Sequence, residues 1–327
     1  MVAQSPKDIT DFLPSLVGQA SHLSTASYNI RDLVLYAIGI GCATRRNGSD
    51  HVYDDELCFL FERHPYFSAF PTYTLVLPFK GTSSDVVRYP GPALQLVPRE
   101  LERFVDMKSA LHYDQALEIL SPLDPNGASL EIRSEVLGFS RRRKGVLVRT
   151  RSTLTDGSGH VVCKMTAGTL AQGIELSRDV GAALPARPAP PSGPPDAVRT
   201  AMVSNGQALT YRLSGDYNPL HADPETARAA GFPGPILHGL CTLGIAARQI
   251  LLEYSPEEPR ALKRLYGRFS RPVHPGELLQ VKLWAKFHDD PETHAGGPTA
   301  TITAVNDGLG VVPAARGLLL RSKRGRP

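Results

Sequence analysis

The 327-residue chain has only four cysteines, Cys42, Cys58, Cys163 and Cys241, and no CxxC pair among them. A reduced intracellular compartment is the simplest setting for such a pattern. Nothing approaches eighteen consecutive apolar residues, so no transmembrane helix is expected. The first thirty residues lack a basic start followed by an apolar core, which argues against a secretory signal, and Asp8 and Asp11 argue against a transit peptide. GxGxxG is absent, so the glycine-led apolar run at 39–43 is not a dinucleotide loop. No strong excess of one charge exists either: 36 Lys and Arg against 32 Asp and Glu, net +4, mixed along the chain. That excludes a dedicated nucleic-acid binder without hindering an anionic ligand.

What the chain does contain is concentrated in residues 211–252, YRLSGDYNPLHADPETARAAGFPGPILHGLCTLGIAARQILL. A carboxylate, an amide and an imidazole, Asp216, Asn218 and His221, fall within six residues. Gly215-Asp216 and Asn218-Pro219 are turn chemistry, because Gly and Asn tolerate positive φ and Pro restricts the residue before it. Asp223-Pro224 reads as N-cap and first helical residue, and Gly231 as the residue after the helix end. This predicts a short helix over 224–230. A second helix is predicted from His238-Gly239 to about Leu252, with Leu240, Leu243, Ala247, Ile250 and Leu251 on one face. Its small residues Gly244, Ala246 and Ala247 would let a sheet come close.

The chemistry follows from that layout. The first amides of a helix have no intrahelical partner and carry partial positive charge. Gly239 leaves its N–H open to a ligand, and a carbonyl oxygen gaining negative charge would be stabilised there. Asp216 and His221 could hold one water and move its protons. These parts suit addition or removal of water beside a thioester carbonyl. Singly, Asp216 is as readily a turn former and His221 a structural histidine; their spacing, followed by a glycine-led helix, favours catalysis. Asp216-x-Asn218 opens like a calcium loop but fails at the required glycine, where His221 stands, and at the twelfth position, Ala227. A zinc site from His221, Asp223 and His238 lacks metal-ligand spacing.

The 211–252 segment resembles the signature of the MaoC-like hotdog proteins, most closely the (R)-specific type 2 enoyl-CoA hydratases. The resemblance continues into RFSRPVHPGELLQVKLW at 268–284 and is patchy elsewhere. It implies catalytic roles for Asp216 and His221, an orienting role for Asn218, a thioester-polarising amide at Gly239, and substrate-binding roles for Tyr211, His238 and Arg268. It also implies an α+β fold of two hotdogs, antiparallel sheets wrapped around a central helix. No metal or redox cofactor is expected, and coenzyme A arrives as part of the acyl-thioester substrate. The family's Leu-His-Gly-Glu-Gln-like segment appears here as Leu111-His112-Tyr113-Asp114-Gln115, with a larger residue and a shorter acid.

Elsewhere the pattern divides the chain. Residues 28–43 predict a helix capped by Asn29, with Leu33, Tyr36, Ala37 and Ile40 on one face. The aromatic stretch at 57–67 reads as core packing, or alternatively as an acyl pocket, and Pro71 and Pro78 keep any helix there short. Strands are predicted at 107–119, 130–137, 146–153 and 160–170. The basic turn Arg141-Arg142-Arg143-Lys144 reads as a solvated hairpin tip, or as a clamp on coenzyme A phosphates. Six prolines between Pro185 and Pro195 mark a linker over 181–200. It separates an N-terminal hotdog at 1–180, which has no catalytic motif, from a catalytic hotdog at 201–320. Closing strands are predicted at 265–269, 277–287, 299–306 and 311–320, a polar loop at 289–298, and a basic tail at 321–327. That tail lacks a Ser-Lys-Leu-type address, so a cytoplasmic location is expected over a peroxisomal one. A homodimer without an attached dehydrogenase or sterol-carrier-like domain is expected. The predicted reaction is reversible hydration of a trans-2-enoyl-CoA to the (3R)-hydroxy product, with Asp216 favoured over His221 as the base. The alternatives are a tailoring dehydratase of a biosynthetic pathway, such as polyketide assembly, and a non-catalytic hotdog that only binds acyl thioesters.

Overall fold

The computed structural model describes residues 7–43, 56–90, 98–102, 104, 110–182, 193–256, 258, 261–288, 299–306 and 311–319. In chain order, β1 (Lys7–Asp8) precedes β2 (Ala20–Tyr28), which leads into α1 (Ile30–Gly39). Three short helices follow: α2 (Leu57–Leu60), α3 (Leu77–Lys80) and α4 (Arg99–Glu102). Then come β3 (Leu111–Ile119), β4 (Ala128–Arg142), β5 (Gly145–Thr155), β6 (Val161–Ala171) and the two-residue strands β7 (Ile174–Glu175) and β8 (Val180–Gly181). The second half runs β9 (Ala197–Met202), α5 (Gln207–Tyr211), α6 (Pro224–Ala229), α7 (Gly239–Tyr254), β10 (Arg264–Phe269), β11 (Leu278–His288), β12 (Thr299–Asn306) and β13 (Val311–Leu319).

One antiparallel sheet has the order β2-β4-β5-β6-β3-β10-β13-β12-β11-β9, with β8 added on β4. Its two halves follow the same path. Taking the long strands of each half in chain order, the first pairs with the third, the fourth and fifth follow, and the second closes the half. The two second strands, β3 and β10, then pair with each other, Arg264 opposite Glu118 and Arg268 opposite Asp114. Each half sends a helix, α1 or α7, from beyond its first strand into the core. This is the expected α+β double hotdog, and the repeat lies in topology, not in residue identity.

The N-terminal central helix is the shorter, 10 residues against 16. Asn29 caps it through a reciprocal box: its Oδ1 accepts from Asp32 N at 3.1 Å, and Asp32 Oδ2 accepts from Asn29 N at 3.0 Å. The helix stops at Gly39, earlier than the apolar run suggests, because Gly41 takes a φ of 87° and Ala43 one of 68°. Leu33, Tyr36, Ala37 and Ile40 are buried as predicted. Helix α7 is buried on nearly every side from Leu240 to Leu251. Gly244 serves a different neighbour from the one expected. A Cβ there would come within 2.6 Å of the Ile40 side chain, so the small residue admits α1 of the other half, not the sheet.

The aromatic stretch divides its roles: Phe59 packs on Phe70 with ring centroids 4.9 Å apart, whereas Phe61 and Tyr66 are exposed. Strands β4 and β5 outrun their predictions, and the basic turn narrows to Arg143 and Lys144 between them. A second apolar cluster explains why Val146 to Val148 are buried in succession. Leu13, Leu16 and Leu101 cover that face of the sheet. Within the predicted 181–200 linker, Gly181 ends β8 and 197–200 begin β9, and 183–192 lie outside the described residues. The polar loop at 289–298, the tail at 321–327 and the start of the 107–119 strand also lie outside them. No helix among the described residues is long and apolar enough to cross a membrane.

Candidate active site

Asp216 sits on a loop that glycine makes possible. After α5 and a 3-10 turn, Gly215 adopts a φ of 134°, and a Cβ there would lie 2.7 Å from Cβ of Lys80 in the N-terminal half. The chain can therefore press against α3 and turn the next side chain inward. Asp216 is buried, and its Oδ1 accepts from Asn218 N at 3.2 Å. Asn218 thus supports the carboxylate through its backbone N–H. Its Oδ1 caps the following turn, accepting from Leu220 N at 3.0 Å, and its Nδ2 donates to the Tyr89 hydroxyl at 3.4 Å.

That turn brings His221 back toward Asp216. His221 is buried, and its Nδ1 lies 2.8 Å from the carbonyl oxygen of Ile236. Only a protonated Nδ1 can donate to a carbonyl, so the neutral ring carries its lone pair on Nε2. Asp223 then caps α6 as predicted, accepting from Glu225 N at 3.1 Å and Thr226 N at 3.0 Å. Beyond α6, His238 immediately precedes α7. Its ring stacks on that of His221, centroids 3.7 Å apart and planes 28° apart. Its Nε2 donates to the backbone carbonyl of Asp216 at 3.1 Å.

One side-chain ligand atom from each of Asp216, His221 and His238 lies within 4.8 Å of the others. Two acceptors that each sit ~2.8 Å from a shared water can be separated by this much, so the spacing admits one bridging water between Asp216 and His221. His221 Nδ1 and His238 Nε2 are already spent on backbone carbonyls, so each ring has one nitrogen left to offer a water or an ion.

Burial sets the protonation states. Loss of solvation raises the Asp216 carboxyl to about 7, against a small lowering by the Asn218 N–H. The same loss lowers His221 to about 4, against the opposing bond to Ile236. At neutral pH His221 is therefore an uncharged acceptor, and Asp216 is the more basic of the two.

Gly239 opens α7, and no side chain caps this end. A Cβ on Gly239 would lie 2.9 Å from the Phe269 ring, so the missing side chain also makes room for β10. The structure places the remaining expected residues differently. Tyr211 is fully buried behind His238, ring centroids 4.9 Å apart, which makes it a packing neighbour of the site. Arg268 stands apart from the dyad. Its strand neighbour Phe269 faces α7, so Arg268 points to the opposite face of the sheet, its guanidinium 4.5 Å from the Tyr113 ring centroid. Asp114 forms a buried ion pair with Arg149 at 3.0 Å and accepts from the Tyr266 hydroxyl at 3.3 Å.

Two contributors went unseen in the sequence. Tyr89 reaches Asn218 from 129 positions away and no local pattern marks it. His112 meets Phe269 edge to face at 4.8 Å across the β3–β10 seam. Its Leu-His context was a signal, but the contact needed the strand register.

Comparison with known proteins accords with this geometry. Residues 187–302 match the family described as MaoC like domain, and residues 26–173 match the MFE-2 hydratase 2 N-terminal domain. The chain is 35% identical over 271 residues to enoyl-CoA hydratase 2, peroxisomal, of Arabidopsis thaliana, covering 79% of this chain and 82% of that protein. It is 36% identical over 267 residues to peroxisomal multifunctional enzyme type 2 of Drosophila melanogaster, covering 79% of this chain but 41% of that longer protein. The crystal structure of a MaoC-like dehydratase from Phytophthora capsici superposes with a TM-score of 0.79 at 36% identity, covering 95% of this chain and 98% of that one.

Proposed function

The chain belongs to the MaoC-like hotdog family, on its type 2 enoyl-CoA hydratase branch, and from that membership we propose that it adds water reversibly across the C2=C3 bond of a trans-2-enoyl-CoA to give the (3R)-3-hydroxyacyl-CoA. One observation carries the proposal: two buried groups with opposed pKa shifts, Asp216 and His221, sit a water's width apart beside the open amino end of α7.

The mechanism follows from those states. A water donates one hydrogen bond to the Asp216 carboxylate and one to His221 Nε2. As its oxygen attacks C3, Asp216, the stronger base, takes a proton. The C2=C3 electron pair shifts toward the thioester oxygen, which gains charge near the Gly239 N–H and the positive end of α7. The Asp216 carboxyl then returns the proton to C2 on the same face, and the enzyme ends as it began. Asn218 holds the loop in register through its backbone bond to Asp216 and its cap on the next turn. No step calls for a metal, so exhaustive chelation should leave turnover unchanged.

The division into an N-terminal hotdog (1–180), a linker (181–200) and a catalytic hotdog (201–320) is part of this reading. The first half supplies the seam and the surroundings of the dyad. Basic residues at the β4–β5 turn suit the phosphates of coenzyme A. We place the protein inside the cell, where its four buried thiols stay reduced, and in the cytoplasm; imaging of a fluorescent fusion tests this against the peroxisome named in its relatives. A homodimer is supported by the sheet edge at β9, where Val198 and Met202 are exposed, and sedimentation tests it.

The defining experiment incubates the protein with trans-2-enoyl-CoAs of graded length and follows loss of enoyl absorbance, with chiral analysis of the product. Turnover to the (3R) alcohol is expected. Inactivity at every length would overturn the reading in favour of an acyl-thioester binder.

A further inference from the structure

His238 is nearly inaccessible, at 1% exposure, and every feature of it points inward. Its ring meets two others. His221 lies stacked at 3.7 Å, and Tyr211 is tilted against it at 4.9 Å. Behind Tyr211 stands Tyr36 of α1 at 5.8 Å, and behind that Tyr73 at 5.4 Å. Tyr36 is anchored in turn by a 2.8 Å hydrogen bond to Thr72. A chain of aromatic contacts, tilted and edge-on until the last, therefore runs from the N-terminal half through His238 to His221.

The polar atoms of His238 fit the same picture. The Nε2–H is spent on the carbonyl of Asp216, so it is not available to a substrate. Nδ1 is buried and has no hydrogen-bond partner. An unpaired buried acceptor is costly, and a purely packing role would be served better by an apolar ring. The ring persists because it touches both catalytic residues at once, the face of one and the backbone of the other.

We propose that His238 is the positioning residue that sets the spacing of Asp216 and His221, and that it binds no substrate. The proposal rests on the hydration reading for its kinetic consequences and on geometry alone for its structural ones. His221 has two constraints, the Ile236 carbonyl on Nδ1 and the His238 plate on its face. Asp216 has the His238 N–H on its carbonyl and the Asn218 N–H on its carboxylate. Without the shared ring, each half of the dyad is referenced to a different segment. A displacement of ~1 Å between reacting groups is enough to cost orders of magnitude in rate.

Two substitutions separate the parts of the role. His238→Phe keeps the plate and removes the donor; His238→Gln keeps a donor near Nε2 and removes the plate. Each should lower kcat for enoyl-CoA hydration by ~10- to 100-fold while KM moves less than about threefold. Histidine NMR titration supplies a readout that folding alone does not move. The His221 resonance should titrate nearer the ordinary range in the Gln variant, where water enters beside it, and stay low in the Phe variant. In the unmutated protein, the His238 resonance should titrate well below the ordinary histidine range. The ring faces His221, Arg212 and the Asp216 carbonyl and has no solvent route.

A rise in KM with kcat preserved would make His238 a substrate-binding residue and overturn the proposal. So would unchanged kcat in both variants, or a His238 resonance titrating in the ordinary histidine range. If the unmutated protein hydrates no enoyl thioester, the hydration reading fails, while the NMR measurements still judge His238.

Discussion

Arg248, in the middle of α7, forms a bidentate ion pair with Glu56 of the N-terminal half, NH2 donating to Oε2 at 2.8 Å and Nε to Oε1, with both side chains buried. The pair ties the central helix of the catalytic half to its partner half about two turns beyond the candidate site. Its two charges neutralise each other in a place where neither could stand alone.

Removing one member should therefore cost more than removing both. Arg248→Ala leaves a buried carboxylate and should destabilise by ~3–5 kcal/mol. The double variant Arg248→Met with Glu56→Gln should recover part of that loss. Denaturant unfolding checks the order, and a single variant as stable as the parent would contradict it.

Asp216→Asn and His221→Ala should each lower hydration by at least ~100-fold, the range seen when a general acid–base group is removed. Circular dichroism should stay unchanged, since both side chains meet the site and no structural ion pair. Near-native turnover in either variant would end the assignment.

Asp216 should also leave a signature in stability. Its carboxyl titrates at 3.8 in an unfolded chain and at about 7 when folded. Between those values the folded state holds the extra proton, so this group lowers stability as pH rises through the window. His221 acts oppositely: 6.5 unfolded and about 4 folded makes stability rise over that range. Asp216→Asn should thus be more stable than the parent at pH 8, by on the order of a few kcal/mol, with the gain vanishing near pH 4. Thermal unfolding at the two pH values tests this. Activity should fall as pH drops below about 7, because the base is then protonated.

Gly239→Ala would place a methyl 2.9 Å from the Phe269 ring. We expect a stability loss of ~1–3 kcal/mol from overpacking and a lower kcat from a displaced helix start. Adding Phe269→Leu should restore stability more than activity, since the room returns but the amide stays partly covered. Equal recovery of both would argue that the Gly239 N–H has no part in catalysis.

Local chemistry was legible throughout. Asp223 before Pro224 marked a helix start, Asn29 marked another, and the apolar spacing after His238 marked α7. The close spacing of Asp216, Asn218 and His221 was likewise enough to place an acid and an imidazole on one loop. These features depend on hydrogen bonds and periodicities spanning a few residues, which a linear string records. The sequence by itself thus determined the α+β class, the helix starts and the one loop that carries Asp216, Asn218 and His221.

Only the tertiary structure decided how those parts serve one another. Tyr89 meets Asn218, Arg268 turns away to Tyr113, Gly244 receives α1, and His238 touches both the Asp216 carbonyl and the His221 ring. The first three join the two halves, with partners more than a hundred residues apart, and the last depends on how a loop folds back on the start of α7. Such contacts are settled jointly by many weak interactions over the whole sheet. No short stretch of the chain holds enough of them to show which face a side chain will take.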